Sequence, residues 1–298
     1  QADKVLVFRQ TALVERANAI ERAHAAKAGD SGAERAALDA NHVREVAGAG
    51  SSGVLIAEGD SWFDYPWVDV IEILEDHYGY DVESVAHKGD TVEDMAYSGG
   101  QLEELTRRLE KLLRRNTIPR AILLSGGGND VAGPEFRMLL NHANSSISGL
   151  NQSVVSGVID ERIRVAYATI ISAVTTICEQ KIGHAIPIIV HGYDFPVPDG
   201  RGFLGGWWLL PGPWLEPGFR VKGYDSMTRR KDLARDLIDR FNKMLSTLPA
   251  DFSHVKYVNL RGTLPTGDAD YQQWWDNELH PTREGFLAVT KKIVQEIT

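Results

Sequence analysis

The sequence predicts an α/β fold, a three-layer αβα sandwich whose central sheet is mainly parallel and has five strands. From residue 54 onward, short apolar runs alternate with longer segments of helical periodicity, as is typical of a parallel sheet covered by helices. The runs 54–57 and 121–124 are uninterrupted apolar stretches, as expected for strands buried on both faces. With 298 residues, of which 43% are apolar, the chain is long enough to form one large domain.

The first 50 residues precede this alternating pattern. Residues 8–29 place apolar side chains at helical spacing among charged ones, residues 33–47 repeat the pattern, and a glycine-rich linker follows at 48–53. We therefore predict an N-terminal helical extension over residues 1–50, packed on the sheet or on a partner subunit, and a catalytic domain over residues 51–298.

Each element of the domain has its own signal. The first strand follows a Ser-Ser-Gly break, and the first helix has apolar residues at helical spacing with Pro66 near its first turn. The later strands are short apolar runs, and the later helices are longer periodic segments. The predicted strands are 54–58, 81–85, 120–125, 186–191 and 254–259. The predicted helices are 67–78, 101–115, 158–181, 229–247 and 282–297.

Two insertions interrupt the alternation. Residues 133–157 are rich in polar side chains, which predicts a loop with little regular structure at the border of the cleft. Residues 195–224 concentrate aromatic and apolar side chains, Trp207 and Trp208 among them, between glycines and prolines. This second segment favours a substrate wall or lid. The alternative is that it covers a sheet edge or forms the contact of a homo-oligomer.

Charge and composition argue against several function classes. A formal net charge of −9 without a basic tract disfavours nucleic acid as a partner. No stretch approaches the ~18 continuous apolar residues that a membrane span requires. The single cysteine, Cys178, lies in an apolar helical pattern and is expected to be a buried core residue. A chain without an intrachain disulfide fits both the cytoplasm and secretion.

Ser61 is the first candidate for chemistry. It lies at a strand-to-helix junction, so its hydroxyl is expected in the crevice at the carboxyl ends of the strands, where open α/β sheets bind ligands. A serine hydroxyl becomes a nucleophile only when a base accepts its proton and donors await the oxyanion that forms. On its own, a serine at such a junction is equally well explained as a helix N-cap.

Three further segments supply the missing groups. His280 precedes the last helix and is the best candidate for the base. The third strand runs into a glycine-rich turn that brings the amide of Asn129 to the same sheet edge, where it suits an oxyanion donor. Gly89 follows the second strand and offers a bare backbone N–H. No spacing of His, Asp and Glu resembles a metal site, so neither a metal nor another cofactor is expected.

These segments form four blocks in the order Gly59-Asp60-Ser61, Gly89, Gly127-Gly128-Asn129-Asp130 and His280. In this order the chain resembles the SGNH, or GDSL-type, serine hydrolases, over roughly residues 54–298. The resemblance implies a flavodoxin-like sheet, a serine nucleophile and a histidine base. It also implies an oxyanion hole formed by the N–H groups of Ser61 and Gly89 and the side chain of Asn129.

One block departs from the family pattern, because Asn277 stands three residues before His280, where the family usually has an aspartate. Asp276 lies four residues before the histidine. A helix-like turn would bring these two onto one face, so Asp276 is favoured over Glu278 as the third member of the triad. Asp194, at the end of the fourth strand, is a rival. Asn277 or a backbone carbonyl could also orient the imidazole.

Several side chains near these blocks are candidates for substrate binding. Trp62 follows the serine directly and would narrow the acyl pocket or stack on a sugar ring. Trp207 and Trp208 belong to the predicted wall or lid, and Asp194 immediately precedes that segment.

We therefore expect an esterase that forms an acyl-enzyme on Ser61 and hydrolyses short acyl esters or acetyl esters of carbohydrates. The expected partner is a small-molecule or carbohydrate ester. Lipase, thioesterase and acyltransferase activities are alternatives within the same chemistry. A non-catalytic protein that binds a glycan or another partner on the same fold is an alternative of a different class, motivated by the asparagine at position 277.

Overall fold

The computed structural model describes residues 51–205, 210–267 and 269–297. The predicted helical extension over residues 1–50 and the pair Trp207 and Trp208 lie outside these ranges. In the described residues the strands are β1 Val54–Gly59, β2 Asp81–Ser84, β3 Ala121–Ser125, β4 Leu140–Asn141, β5 Gly149–Leu150, β6 Ile188–His191 and β7 Val255–Val258. Five of them form one parallel sheet in the order β2-β1-β3-β6-β7, while β4 and β5 form a short antiparallel hairpin.

Helices flank this sheet, and the predicted α/β fold is confirmed. In the same ranges they are α1 Val70–Tyr78, α2 Val92–Tyr97, α3 Gln101–Arg114, α4 Gln152–Val155, α5 Arg164–Ile182, α6 Glu216–Val221, α7 Met227–Leu245, α8 Leu248–Asp251 and α9 Arg283–Val294. A π-helical stretch, Ser156–Ile163, joins α4 to α5, and 3₁₀ turns cover Gly133–Leu139, Phe203–Gly205 and Tyr271–Gln273. Helix α1 packs against α9, and α3 packs against α5.

Helix α1 begins at Val70, later than the predicted start at residue 67. Trp67 has a φ of 74°, in the left-handed region that an α-helix excludes. Asp69 then caps the helix, because its side chain accepts a hydrogen bond of 2.9 Å from the N–H of Glu72. The segment between Ser61 and α1 is consequently a loop that lies at the carboxyl end of the sheet.

The prediction of little regular structure in residues 133–157 is wrong. The segment contains a 3₁₀ turn, the β4–β5 hairpin and the start of a helix that continues through the π-helical stretch into α5. Phe136, Leu140 and Val155 are fully or almost fully buried, so apolar residues spaced among the polar ones attach the insertion to the core. Cys178 is buried in α5, as predicted.

The order of the strands creates a crevice between β1 and β3. The chain leaves β1 to form β2 on one side, and β3 then pairs with β1 on the other side. Connections that diverge in this way leave an opening at the carboxyl ends of the two strands, which is where α/β sheets bind ligands. Ser61 follows β1 and Asn129 follows β3, so both lie at this opening.

No helix in the described ranges has the length and apolar character needed to cross a membrane.

Candidate active site

Close packing at Gly59 brings the serine turn against the end of β3. A Cβ atom at Gly59 would lie 2.8 Å from the carbonyl oxygen of Ser125 and 2.9 Å from the ring of Phe63, so a side chain does not fit there. The N–H of Asp60 donates to the same Ser125 oxygen at 3.0 Å. The turn that carries Ser61 is thereby fixed relative to the strand that carries Asn129.

The buried side chain of Asp60 connects the serine turn to the Asn129 turn. Its carboxylate accepts hydrogen bonds from the Trp62 N–H at 3.0 Å, from the Ser125 hydroxyl at 3.2 Å and from the hydroxyl of Tyr193. The Tyr193 oxygen in turn accepts a hydrogen bond of 3.2 Å from the N–H of Gly128. Burial raises the pKa of Asp60 to about 6, and these hydrogen bonds oppose that rise.

The imidazole of His280 contacts the serine. Nε2 of His280 lies 2.7 Å from Oγ of Ser61, within hydrogen-bonding distance. The histidine is 5% exposed, and its burial lowers its pKa to about 3. The ring is therefore neutral at physiological pH and can accept a proton.

Asn277, rather than an acid, contacts the other nitrogen of this imidazole. Oδ1 of Asn277 lies 2.9 Å from Nδ1 of His280 and also accepts the backbone N–H groups of Leu279 and His280, each at 3.0 Å. Because two N–H groups already point at this atom, it must be the amide oxygen. The imidazole therefore carries its hydrogen on Nδ1 and presents the lone pair of Nε2 to Ser61.

The side chain of Asn277 lies between the favoured acid, Asp276, and the imidazole. The Asp276 carboxylate accepts hydrogen bonds from Nδ2 of Asn277 at 3.1 Å and from the Tyr65 hydroxyl at 2.8 Å. No hydrogen bond joins it to the imidazole of His280 in the described part of the chain. The expectation that Asp276 is the third member of a triad is therefore wrong in its geometry, because residues 275–281 form a turn closed by a bridge between Trp275 and Pro281 instead of a helix-like turn.

The two other acids considered from the sequence brace loops. Asp194 accepts four backbone N–H groups, those of Phe195, Gly262, Thr263 and Leu264, at 2.6 to 2.8 Å. Glu278 likewise accepts four backbone N–H groups, those of Gly200, Trp214, Leu215 and Glu216, at 2.7 to 3.0 Å. Neither carboxylate contacts His280. Glu278 instead anchors the 195–224 insertion to the loop that carries the base.

The three predicted oxyanion donors differ in how they are engaged. Nδ2 of Asn129 donates one hydrogen to the Asp90 carbonyl at 2.9 Å, which orients the amide and leaves its second hydrogen for a ligand. The N–H groups of Ser61 and Gly89 make no hydrogen bond with any other described residue. Gly89 has a φ of 94°, a conformation that favours glycine, and open space surrounds the position of a Cβ. Their role as an oxyanion hole stays a prediction.

A small cavity lies beside the serine. It has a volume of about 50 Å³ and is bordered by Ser61 and Asn129 on one side. Apolar side chains, among them Phe136, Leu215 and Leu237, form most of the remaining wall. Both insertions therefore reach this cavity, the first through Phe136 and the second through Leu215.

Aromatic rings enclose the imidazole, and the sequence analysis did not identify the most important one. The ring of Tyr65 is stacked on His280 with centroids 4.2 Å apart and an interplanar angle of 17°. Trp214 meets the same imidazole edge-on at 5.4 Å. Tyr65 belongs to no recognisable sequence motif, and neither does Tyr193, so only the folded chain reveals their positions.

The four residues predicted to bind substrate are Trp62, Asp194, Trp207 and Trp208, and the structure describes two of them, Trp62 and Asp194. Trp62 is 2% exposed; it borders the cavity and donates from Nε1 to the Leu279 carbonyl at 3.1 Å, so its ring is not available to stack on a sugar. Asp194 also borders the cavity, but backbone N–H groups occupy both of its oxygens. Trp207 and Trp208 lie outside the described residues. In the described ranges no group of His, Cys, Asp or Glu side chains is arranged to hold a metal ion.

One family profile matches the chain, and two solved structures are reported as similar to it. The sequence profile of the GDSL-like Lipase/Acylhydrolase family matches residues 46–288. A member of the lipolytic protein G-D-S-L family from Veillonella parvula is similar, at 14% identity and a TM-score of 0.44, over 82% of this chain and 97% of the other. A catalytic mutant of an acetylxylan esterase from Geobacillus stearothermophilus is similar at 14% identity and a TM-score of 0.45, over 83% of this chain and 95% of the other. No curated protein matches the sequence.

Proposed function

This chain belongs to the GDSL-like lipase/acylhydrolase family, and from that premise we propose that it is a serine esterase that hydrolyses short acyl esters through Ser61. The observation that carries the proposal is the 2.7 Å contact between the Ser61 hydroxyl and Nε2 of His280. A nucleophile within reach of a base that a third group orients is the arrangement that activates a serine. Here the third group is Asn277.

The reaction has two halves. Oγ of Ser61 attacks the carbonyl carbon of the ester while its proton passes to Nε2 of His280, and the carbonyl oxygen becomes an oxyanion. The N–H groups of Ser61 and Gly89 and the amide of Asn129 donate to that oxygen. When the oxyanion collapses, the alcohol leaves with the proton from His280, and the acyl group stays on Ser61. Water then attacks the acyl group, with His280 again as the base, and releases the carboxylic acid.

Asn277 fixes the tautomer of His280 without adding a charge. Because its Oδ1 accepts from Nδ1 of the imidazole at 2.9 Å, Nε2 is the nitrogen that lacks a hydrogen in the neutral ring. The imidazolium that forms during attack lacks a carboxylate partner, so other groups must stabilise it. The face of Tyr65 lies on this ring at 4.2 Å, and the π face of an aromatic side chain attracts a cation.

The size of the cavity supports a short acyl group. The cavity is small, with a volume of about 50 Å³. Its apolar wall suits the methyl or methylene end of an acetyl or propionyl group. A long acyl chain would have to displace Phe136 or Leu237, which are packed side chains with 0% and 3% exposure.

Hydrolysis of p-nitrophenyl acetate, butyrate and octanoate tests this proposal. We expect wild-type activity to fall as the acyl chain lengthens, and we expect Ser61→Ala and His280→Ala to lower kcat/KM by at least about a thousandfold. Ser172→Ala, on the exposed surface of α5, is the matched control and should behave as wild type. Wild-type rates in Ser61→Ala would remove Ser61 from the reaction, and a preference for octanoate would contradict the short acyl pocket.

A further inference from the structure

Tyr65 lies on the loop between the nucleophile and helix α1, and its side chain reaches the loop that carries the base. Its backbone N–H donates at 3.2 Å to the carboxylate of Asp69, which caps α1. Its ring stacks on the imidazole of His280, with centroids 4.2 Å apart. One residue therefore contacts both of the segments that must stay together for Ser61 and His280 to react.

The hydroxyl of Tyr65 takes part in a closed ring of three hydrogen bonds. It donates to Oδ2 of Asp276 at 2.8 Å and accepts from Nδ2 of Asn277 at 2.9 Å. Nδ2 of Asn277 donates its other hydrogen to the same Asp276 oxygen at 3.1 Å. Burial and the hydrogen bond to Asp276 raise the pKa of Tyr65 above its ordinary value, so the hydroxyl keeps its hydrogen. That hydrogen points at the carboxylate, and the lone pairs of the hydroxyl face Asn277.

The same amide orients the base. Asn277 is fully buried, and its Oδ1 accepts from Nδ1 of His280 at 2.9 Å. A shift of the Tyr65 hydroxyl would therefore move Asn277 and, through it, the imidazole. The hydrogen bonds to Asn277 and Ser61 act in the plane of the imidazole, whereas the stacked ring of Tyr65 limits its tilt out of that plane. Tyr65 contributes to both restraints.

We propose that Tyr65 is a positioning residue of the reaction. Its hydroxyl and the Asp276 carboxylate form a clamp that holds Asn277 in the place from which it orients His280. The inference rests on the proposed esterase function, in which Nε2 of His280 must stay at 2.7 Å from Oγ of Ser61. A misplacement of about 1 Å at a catalytic group costs on the order of a hundredfold in rate. The clamp therefore acts on the rate of the chemical step and not on the binding of the ester.

In this clamp Asp276 acts as a hydrogen-bond acceptor and not as a charge. Asp276 is exposed, and an exposed charge is screened by water and salt. One oxygen, Oδ2, accepts both hydrogen bonds, so the single side-chain oxygen of an asparagine can replace it. Asp276→Asn therefore preserves the clamp, whereas Asp276→Ala and Tyr65→Phe each remove it.

Steady-state hydrolysis of p-nitrophenyl acetate by four variants tests the clamp. We expect Tyr65→Phe and Asp276→Ala to lower kcat about tenfold at an unchanged KM, because the ester still binds while the imidazole is less well placed. Asp276→Asn should retain the wild-type kcat. The double variant Tyr65→Phe/Asp276→Ala should be no slower than the slower of the two single variants, because both changes remove the same clamp.

Tyr271→Phe is the matched control. The Tyr271 hydroxyl also donates to a carboxylate, that of Asp199 at 3.0 Å, and also accepts from a side-chain amide, that of Gln272 at 3.2 Å. Within the described part of the chain it makes no hydrogen bond to Asn277 or His280. The loss of this hydroxyl should leave kcat unchanged.

Nuclear magnetic resonance supplies a readout that does not depend on hydrolysis. The hydrogen on Nδ1 of His280 is bonded to Asn277 and should give a slowly exchanging resonance in the wild type. Tyr65→Phe should make this hydrogen exchange faster with water, while Tyr271→Phe should leave its exchange unchanged. Both measurements are made well below the melting temperature of each variant, so that unfolding does not contribute.

A wild-type kcat in Tyr65→Phe would overturn the inference. An Asp276→Asn variant as slow as Asp276→Ala would also overturn it, since the charge would then matter instead of the hydrogen bonds, and so would losses that multiply in the double variant. If hydrolysis depends on Ser61 but not on Tyr65, the clamp fails and the proposed function stands. If the wild type does not hydrolyse the ester but the Nδ1 hydrogen responds to Tyr65→Phe, the clamp on His280 is supported and the proposed function fails.

Discussion

Exchanging the residues at positions 276 and 277 places a carboxylate beside the base and keeps an amide next to it. In the double variant Asp276→Asn/Asn277→Asp, a carboxylate oxygen replaces Oδ1 of Asn277, which lies 2.9 Å from Nδ1 of His280. The new amide at position 276 can pair with it, as Nδ2 of Asn277 now pairs with Asp276 at 3.1 Å. Asn277→Asp alone would put two carboxylates at that distance, and their repulsion would raise the pKa of one of them.

The size of the effect follows from Coulomb's law. Two unit charges about 4 Å apart attract each other by about 4 kcal/mol at an effective dielectric constant of about 20. A pKa shift of one unit corresponds to about 1.4 kcal/mol. The carboxylate at position 277 should therefore raise the pKa of His280 by about 3. Burial lowers that pKa to about 3 in the natural chain, so His280 of the double variant should have a pKa of about 6.

Nuclear magnetic resonance titration of the Cε1–H group of His280 measures this directly. A pH profile of activity is less specific, because Asp60 also titrates near pH 6. Asp276→Asn alone is the control. It removes the more distant charge, leaves Asn277 on the imidazole and should not raise the pKa. A wild-type His280 with a pKa near its ordinary value of 6.5, unchanged in the double variant, would refute the placement of Asn277 at Nδ1.

Two further predictions concern buried groups near the site. Burial raises the pKa of Glu58 from 4.5 to about 8, so between these pH values the unfolded chain loses a proton that the folded chain keeps, and stability falls as pH rises. In urea titrations, the free energy of unfolding of Glu58→Gln relative to wild type should therefore grow by about 1.4 kcal/mol per pH unit in that window; a pH-independent difference would contradict the raised pKa of this buried carboxyl group. Tyr193→Phe removes the bridge between Asp60 and Gly128 and should lower kcat roughly ten- to a hundredfold at unchanged KM. The control is Tyr97→Phe, because the Tyr97 hydroxyl bonds Thr169 on the surface; it should leave kcat unchanged, and equal effects of the two variants would argue against a positioning role for Tyr193.

The sequence predicts the sheet, and it predicts Ser61 and Asn129 at the edge of that sheet, for a physical reason. Parallel strands buried on both faces are continuous apolar runs, so β1 and β3 can be located to within a residue. Once the strands are located, the residues that follow them must meet at the carboxyl edge. This is why the sequence predicts Ser61 and Asn129 at the same edge, while His280 is indicated by its place before the last helix and by the family pattern.

The details around the base depend on contacts that sequence spacing does not encode. A helix-like turn favours Asp276 over Glu278 and leaves Asn277 as an alternative. Instead, the backbone N–H of Asp276 donates to the His280 carbonyl at 2.9 Å, which closes a tight turn and directs the side chain of Asn277 at the imidazole. Tyr65 reaches the same site across more than 200 residues of chain. The strained backbone of Trp67 ended the predicted first helix early, since the apolar pattern carries no information on φ.

A crystal structure of the protein inhibited by a small alkyl fluorophosphonate tests the central claim most directly. The account predicts a covalent bond from the inhibitor to Oγ of Ser61, with the phosphoryl oxygen within hydrogen-bonding distance of the N–H groups of Ser61 and Gly89 and of Nδ2 of Asn129. The alkyl group should lie in the cavity beside Phe136 and Leu215. An inhibitor bonded to another residue, or an oxygen that faces away from these three donors, would contradict it.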